Sequence, residues 1–292
     1  MGHRSGFVNI LGNPNVGKST IMNAMVGEKI SIISPKVQTT RHRIMGIVNG
    51  EDFQIVYSDT PGILKPRYKL HESMMSFVHT ALTDADIIVY VTDVSEKTDP
   101  EGEYLKKIRD SGIPVIIVIN KIDLTNQDRL GELVGIWHSA FPQSEIIPVS
   151  ALKVFNLDNL LKSILDKLPE GEPYFPRDQL TDRYERFFAS EIIREKIFAN
   201  YQKEIPYSVE VEIDTFTEEP GKNSIRAIIN VARESQKGII IGHKGQMLKK
   251  IGTAARKEME DFFGVKIFLE LYVRVVKDWR NKTVSLKKFG YR

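Results

Sequence analysis

Gly12-Asn13-Pro14-Asn15-Val16-Gly17-Lys18-Ser19 sets two glycines, a lysine and a hydroxyl at the G-x-x-x-x-G-K-[ST] spacing that wraps phosphate. The glycines let backbone N–H groups turn inward around phosphate oxygens, and a helix opening at the loop aims its positive end at them. In such a loop Lys18 reaches the β- and γ-phosphates, and the Ser19 hydroxyl ligates Mg²⁺. The flanks agree. Phe7–Leu11 is a short apolar run, read as a buried strand, and Thr20–Val26 places apolar residues at helical spacing. Further on, Asp59-Thr60-Pro61-Gly62 ends the strand Phe53–Tyr57. It fits the D-x-x-G pattern, whose Asp holds Mg²⁺ through a water and whose Gly N–H meets the γ-phosphate; a plain Pro-Gly turn is the alternative.

The base is read later in the chain. Val115–Ile119 is wholly apolar, as in a central parallel strand covered on both faces. It leads into Asn120-Lys121-Ile122-Asp123, the N-K-x-D pattern of guanine-nucleotide binders. Asp123 accepts from the guanine N1–H and exocyclic amine together, whereas adenine would leave a buried carboxylate unpaired. Asn120 is expected to tie this loop to the phosphate loop and the base, with the Lys121 stem along the base plane. After the strand Glu145–Val149, the N–H groups of Ser150 and Ala151 are expected to meet the guanine O6.

A conditional contact would make such a site a switch. Val37-Gln38-Thr39-Thr40-Arg41 is a polar loop before the strand Ile44–Val48, and one of its threonines completes the Mg²⁺ shell only when the γ-phosphate is present. Thr40 is favoured over Thr39. One position departs from the pattern: Ras-like GTPases place a Gln after the D-x-x-G glycine to orient water, and here it is Ile63. Hydrolysis is therefore expected to be slow, with Lys18, Thr40, Asp59 and Gly62 doing the electrostatic work. Asn15 has two readings: a ligand for a potassium ion beside the phosphates, or a residue that tolerates a tight loop.

The chain has 292 residues and no cysteine, which excludes disulfides and thiolate metal sites. It shows no 18-residue apolar run for a membrane span, and its first residues lack the apolar segment of a signal peptide. The six histidines show no metal-ligand spacing. A net charge of +3 hides an asymmetry: residues 1–181 carry −3, residues 182–292 carry +6, and 237–292 alone carry +9. A basic end suggests a polyanionic partner, although a solvated face explains charge equally well.

Helical patterns (Leu70–Ala85, Glu101–Ser111, Gln127–Ala140) alternate with strands such as Ile87–Val91, predicting an α/β domain with a mostly parallel sheet and helices on both faces over residues 1–168. Residues 169–181, with three prolines near their start, read as a stiff linker. Residues 182–292 have another grammar: a helix over Tyr184–Gln202, strands over Tyr207–Phe216 and Ser224–Arg233 joined by the hairpin 218–223, helical pieces on either side of Gly242-His243-Lys244-Gly245, and a last strand, Val265–Val275. The order α-β-β-α-α-β around G-x-x-G is that of a type II KH module, an α+β fold. Its loop clamps single-stranded nucleotides, here with Gly238, Ile241, Gly242, His243, Lys244 and Gly245 and with Lys249 and Lys250 on the basic helix behind. Ile239–Ile241 read as core and groove together, and Trp279 as a packing anchor rather than a stacking platform.

The phosphate loop, Gln38-Thr39-Thr40-Arg41-His42-Arg43, Asp59-Thr60-Pro61-Gly62, Asn120-Lys121-Ile122-Asp123 and the terminal Gly242-His243-Lys244-Gly245 together resemble the Era family of bacterial GTPases over nearly the whole chain. That resemblance implies GTP and GDP as ligands, Mg²⁺ as cofactor, and a ribosome-assembly role on the 30S subunit near the 3′ end of 16S ribosomal RNA. It also implies a cytoplasmic protein, in part peripheral on the inner membrane; no protein partner is identifiable. An alternative of another class is an RNA-binding module in which GTP is a structural ligand with negligible turnover, against which Asp59 and Thr40 argue. A third, the GTPase half of a tRNA-modifying enzyme, requires a C-terminal catalytic cysteine that this chain lacks.

Overall fold

Short apolar runs separated by amphipathic stretches become strands and covering helices. The computed structural model describes residues 2–97 and 99–291. They divide into two compact units, residues 1–65 with 74–182 and residues 66–73 with 183–292. The elements run β1 (Arg4–Gly12), α1 (Lys18–Val26), β2 (Ile44–Asn49), β3 (Phe53–Asp59), α2 (Lys69–Thr83), β4 (Ile87–Asp93), α3 (Glu103–Arg109), β5 (Val115–Asn120), α4 (Gln127–Ala140), β6 (Glu145–Pro148) and α5 (Leu157–Lys167). The six strands form one sheet in the order β2-β3-β1-β4-β5-β6, parallel except for the antiparallel β2–β3 pair. Leu11, Ile88, Tyr90, Ile117 and Ile119 pack against Met75 and Val78 of α2, Ile108 of α3 and Trp137 of α4. The alternate residues Ile10, Val89, Ile116 and Val118 are equally buried. Burial on both faces is what continuous apolar strands are for.

Residues 169–181 differ from a free spacer. The Ile47 N–H of edge strand β2 donates to Leu180 O (2.8 Å), and the Thr181 hydroxyl donates to Met45 O (2.7 Å). The fully buried Gln54 amide adds three more bonds: Nε2 donates to Phe175 O (2.8 Å), while Oε1 accepts from the N–H groups of Tyr174 (2.7 Å) and Phe175 (3.0 Å). The segment thus covers an otherwise open sheet edge.

The second unit continues with α6 (Glu185–Asn200), α7 (Ile205–Ser208), β7 (Glu210–Glu219), β8 (Lys222–Val231), α8 (Glu234–Ile241), α9 (Gln246–Phe263), β9 (Lys266–Val275) and α10 (Thr283–Lys288). Its sheet runs β7-β8-β9, with β7–β8 antiparallel and β8–β9 parallel. Ile193 and Ile197 of α6, Ile240 of α8 and Ile251 and Met259 of α9 pack onto Ile225, Ile229 and Ile267 of the sheet. The hairpin is tighter than its composition suggested: pairing runs to Glu219–Lys222, leaving Pro220 and Gly221 as the turn. The chain after β9 also folds. Trp279 is fully buried, its indole N–H donating to Ser208 O (2.9 Å), and the Tyr291 hydroxyl donates to Glu210 Oε2 (2.8 Å). Trp279 is therefore a packing anchor.

Replacing Gln54 by Ala removes the amide partner of the Tyr174 and Phe175 backbone groups. It should cost about 1–3 kcal/mol, read by denaturant melting, and should speed protease cutting within 169–181. Wild-type melting and cutting would show that the segment is not held by this amide.

Candidate functional site

At the carboxyl ends of β1, β3, β5 and β6 the first unit opens into a cleft of about 550 Å³, lined in part by Gly17, Lys18, Ser19, Thr40, Asn120 and Asp123. Topology puts it there, since loops leaving parallel strands gather at one edge. The phosphate loop requires its glycines. A Cβ on Gly12 would lie 2.2 Å from Val91 O, and one on Gly17 2.2 Å from the Asn120 amide. Lys18 folds back over the loop and donates to Gly12 O (3.0 Å) and Asn13 O (2.7 Å). Burial pulls its ammonium down to about 8, against the pull of the Asp59 and Glu96 carboxylates. A bound anion would oppose that loss of charge.

Three oxygens converge beside Lys18. The Ser19 hydroxyl donates to Asp59 Oδ2 (2.6 Å) and lies 2.9 Å from Thr40 Oγ1, which is 3.2 Å from the same carboxylate oxygen. Thr39 turns away and donates to Lys36 O (2.6 Å), so the structure separates the two threonines. Burial raises the Asp59 pKa, opposed by the Ser19 bond, by the Lys18 charge and by the Ser31 and Thr40 hydroxyls. Its other oxygen, Oδ1, is buried and among the described residues has no partner in hydrogen-bonding geometry. Hard oxygens plus an orphaned carboxylate oxygen fit Mg²⁺, which prefers one or two carboxylates completed by substrate phosphates. Among the described residues no group of three His, Cys, Asp or Glu forms an all-protein cage.

Around this point the Thr60 hydroxyl donates to Ile10 O (2.8 Å), and the Ile63 N–H donates to Gly12 O (3.1 Å). Gly62 lies against Pro14, where a Cβ would come within 2.7 Å. The Ile63 side chain packs on the apolar cluster of α2–α4, so it offers nothing to orient water. Asn15, with φ +66°, donates to Pro35 O (2.9 Å), which ties the phosphate loop to the Thr40 loop.

On the base side Asn120 bridges two loops: Nδ2 donates to Val16 O (2.9 Å), and Oδ1 accepts the Ala151 N–H (3.0 Å). The Ser150 N–H donates to Phe155 O (3.2 Å), and its hydroxyl donates to Asp123 (2.5 Å). Both N–H groups assigned to the guanine O6 thus have protein partners here, and Ser150 acts on Asp123 through its side chain. Ile122 opens a 3-10 turn that carries Asp123. Lys121 donates to Asn15 O (2.6 Å) and to Asp93 Oδ2 (2.5 Å). Burial works against the Asp93 charge, but the bonds from Lys121 and Ser95 outweigh it and hold its carboxyl low.

Asp93 was not singled out in the sequence, nor was Glu96, which accepts from the Asn13 side chain and from the Thr92 hydroxyl (2.9 Å). The one available signal was position: Asp93 ends a buried strand at the ligand-facing edge of the sheet.

In the second unit, α8 ends at Gly242, and a 3-10 turn over His243–Gly245 leads into α9. Lys244 (φ +50°) and Gly245 (φ +77°) are left-handed there. His243, Lys244, Lys249 and Lys250 are exposed. Ile240 is core, Ile239 is exposed and Ile241 is half-buried, so the isoleucines divide their roles. Beside the turn lies a groove of about 370 Å³ lined by Gly245, Leu248, Lys249, Gly252, Thr253, Arg256, Leu269 and Leu271. Gly238 and Ile241 lie on α8, outside that lining. Arg256 and the leucines were missed, because only the fold of α9 against β9 makes them one surface.

Comparison with known proteins identifies the family of each segment. Residues 7–121 match a family described as 50S ribosome-binding GTPase, and residues 204–280 match the KH domain. GTPase Era of Alkaliphilus metalliredigens is 44% identical over 294 residues, covering 100% of each chain. A variant of Aquifex aeolicus Era bound to GDP.AlF4- superposes with a TM-score of 0.95 at 44% identity, covering 99% of both chains. The same scores hold for an Era structure in complex with MgGDPNP and nucleotides 1506–1542 of 16S ribosomal RNA. With its phosphate loop, base loop and G-x-x-G turn set in a chain that matches these relatives from end to end, the protein belongs to the Era family of GTPases.

Proposed function

We propose that the chain is a GTP-driven switch that binds small-subunit ribosomal RNA near its 3′ end and acts in 30S assembly. The observation that carries the switch is the meeting of Ser19, Thr40 and Asp59, which joins the phosphate loop, the 36–43 loop and the D-x-x-G strand at one point. In this reading the loop N–H groups and Lys18 hold the β- and γ-phosphates, and Asn120, Lys121 and Asp123 select guanine. Ser19, Thr40 and Asp59 would hold Mg²⁺, which when bound neutralises phosphate charge and polarises the γ-phosphoryl group. The Gly62 N–H would meet the γ-phosphate. Loss of that phosphate removes the reason for Thr40 to stay, and its loop is released.

The Ile63 side chain makes intrinsic hydrolysis slow, so a backbone group or a partner must place the water. The RNA half of the proposal rests on the exposed His243-Lys244 turn beside the α9–β9 groove, and on the relative seen with 16S RNA. The family description that mentions the 50S subunit covers residues 7–121 alone, outside the KH segment. We take residues 1–168 as the GTP domain, 169–181 as the linker and 182–292 as the RNA domain, in the cytoplasm. No helix among the described residues is long and apolar enough to cross a membrane; a peripheral place on the inner membrane is a family expectation.

Phosphate release with and without the 3′-terminal segment of 16S RNA tests the switch. Turnover that rises with RNA supports it; turnover near zero in both would favour a structural nucleotide. Asp123→Asn should weaken GDP by about 1.5–3 kcal/mol and favour xanthine nucleotides, and unchanged GDP affinity in a titration would remove Asp123 from the base site. If Asn15 holds a potassium ion, hydrolysis should run faster in potassium than in sodium at equal ionic strength, and Asn15→Ala should erase the difference. Equal rates leave Asn15 as a loop residue. Changing His243→Asp with Lys244→Asp should weaken RNA binding and flatten its salt dependence while GTP affinity holds. Normal RNA binding by the folded double variant would overturn the KH assignment.

A further inference from the structure

Arg43 belongs to the Gln38–Arg43 segment, yet neither the nucleotide nor the RNA reading uses it. Its side chain is 8% exposed, and its guanidinium reaches three elements of the first unit. Nε donates to the Ser58 hydroxyl (2.6 Å), one residue before Asp59. Nη1 and Nη2 grip the two oxygens of Asp84 (2.5 and 3.0 Å), just past the end of α2. Nη2 also donates to Asn9 Oδ1 (3.2 Å) in β1. Asn9 in turn donates to Ala81 O in α2 (2.5 Å) and to Asp84 Oδ1 (2.8 Å). Ile44, the next residue, pairs directly with Asp59 across β2–β3.

We infer that Arg43 is a positioning residue for the γ-phosphate switch: it pins the chain three residues after Thr40 to the strand bearing Asp59 and to the end of α2. The inference rests on the reading of Thr40 as the conditional Mg²⁺ contact. A planar fork with several donors spans these acceptors, and a lysine ammonium does not. With the fork intact, the loop can release Thr40 while its base keeps its register, so Thr40 returns to the same point. Without it, Thr40 has more arrangements to lose on closing, and the cost falls on the triphosphate state alone.

The test measures affinity for a non-hydrolysable GTP analogue and for GDP, both with Mg²⁺, together with thermal melting, in Arg43→Lys, Asp84→Asn and Thr40→Ala. Partners that orient metal ligands typically alter affinity about 10–100-fold when lost. Arg43→Lys should therefore weaken the analogue by about tenfold with GDP affinity at the wild-type value. Asp84→Asn should move the same ratio in the same direction, and it decides the matter if Arg43→Lys does not fold. Equal weakening of both nucleotides would make the cluster merely structural and overturn the inference. If Thr40→Ala shifts the ratio and the other two variants do not, the inference alone fails. If Thr40→Ala leaves the ratio at wild type, the Thr40 reading fails and takes the inference with it.

Discussion

A carboxylate at 0% exposure, Asp59, is the constraint around which the nucleotide site is built. An ionised group so deep is costly unless charge and hydrogen bonds compensate it. Ser19 and Thr40 compensate one oxygen, and Lys18 supplies the nearby positive charge. Among the described residues the other oxygen has no partner in hydrogen-bonding geometry. Burial therefore acts on both members of the Lys18–Asp59 pair against their charged forms, and a phosphate–Mg²⁺ ligand opposes both effects at once. The same cluster that needs the ligand contains Thr40, which gives a local electrostatic demand a way to order a loop.

The base site follows a related logic. Asn120 and Lys121 each hold a backbone carbonyl of the phosphate loop, Val16 O and Asn15 O. Base recognition and phosphate recognition are thus one connected network, braced on its far side by Asp93. Nothing in this network supplies a side chain for water activation at position 63, because Ile63 is committed to the apolar cluster. On the proposed reading, this site holds a nucleotide and senses its γ-phosphate.

Much of this was legible in the sequence because phosphate and guanine recognition use short contiguous motifs. The Gly12–Ser19 loop and Asn120–Asp123 carry their chemistry in adjacent residues, and strand–loop–helix patterning supplies their context. What was not legible depends on contacts distant in sequence. Asp93 meets Lys121 across β4 and β5, and Arg43 meets Asp84 across the sheet. Thr39 and Thr40 are adjacent hydroxyls that composition cannot separate; backbone direction sends one to Lys36 O and the other to Asp59. The proline-rich stretch read as a spacer because its partner, Gln54, lies in another strand. In the second unit the G-x-x-G turn was readable, whereas the groove beside it exists only once α9 packs on β9.

The central claim is that the loop ending at Thr40 is held by the triphosphate state and freed by the diphosphate state. Hydrogen–deuterium exchange over residues 36–43, with Mg²⁺ and either GDP or a non-hydrolysable GTP analogue, reads this directly. The account predicts clear protection of that segment with the analogue and faster exchange with GDP, while the phosphate-loop amides stay protected in both. Equal exchange of residues 36–43 in the two states would contradict it.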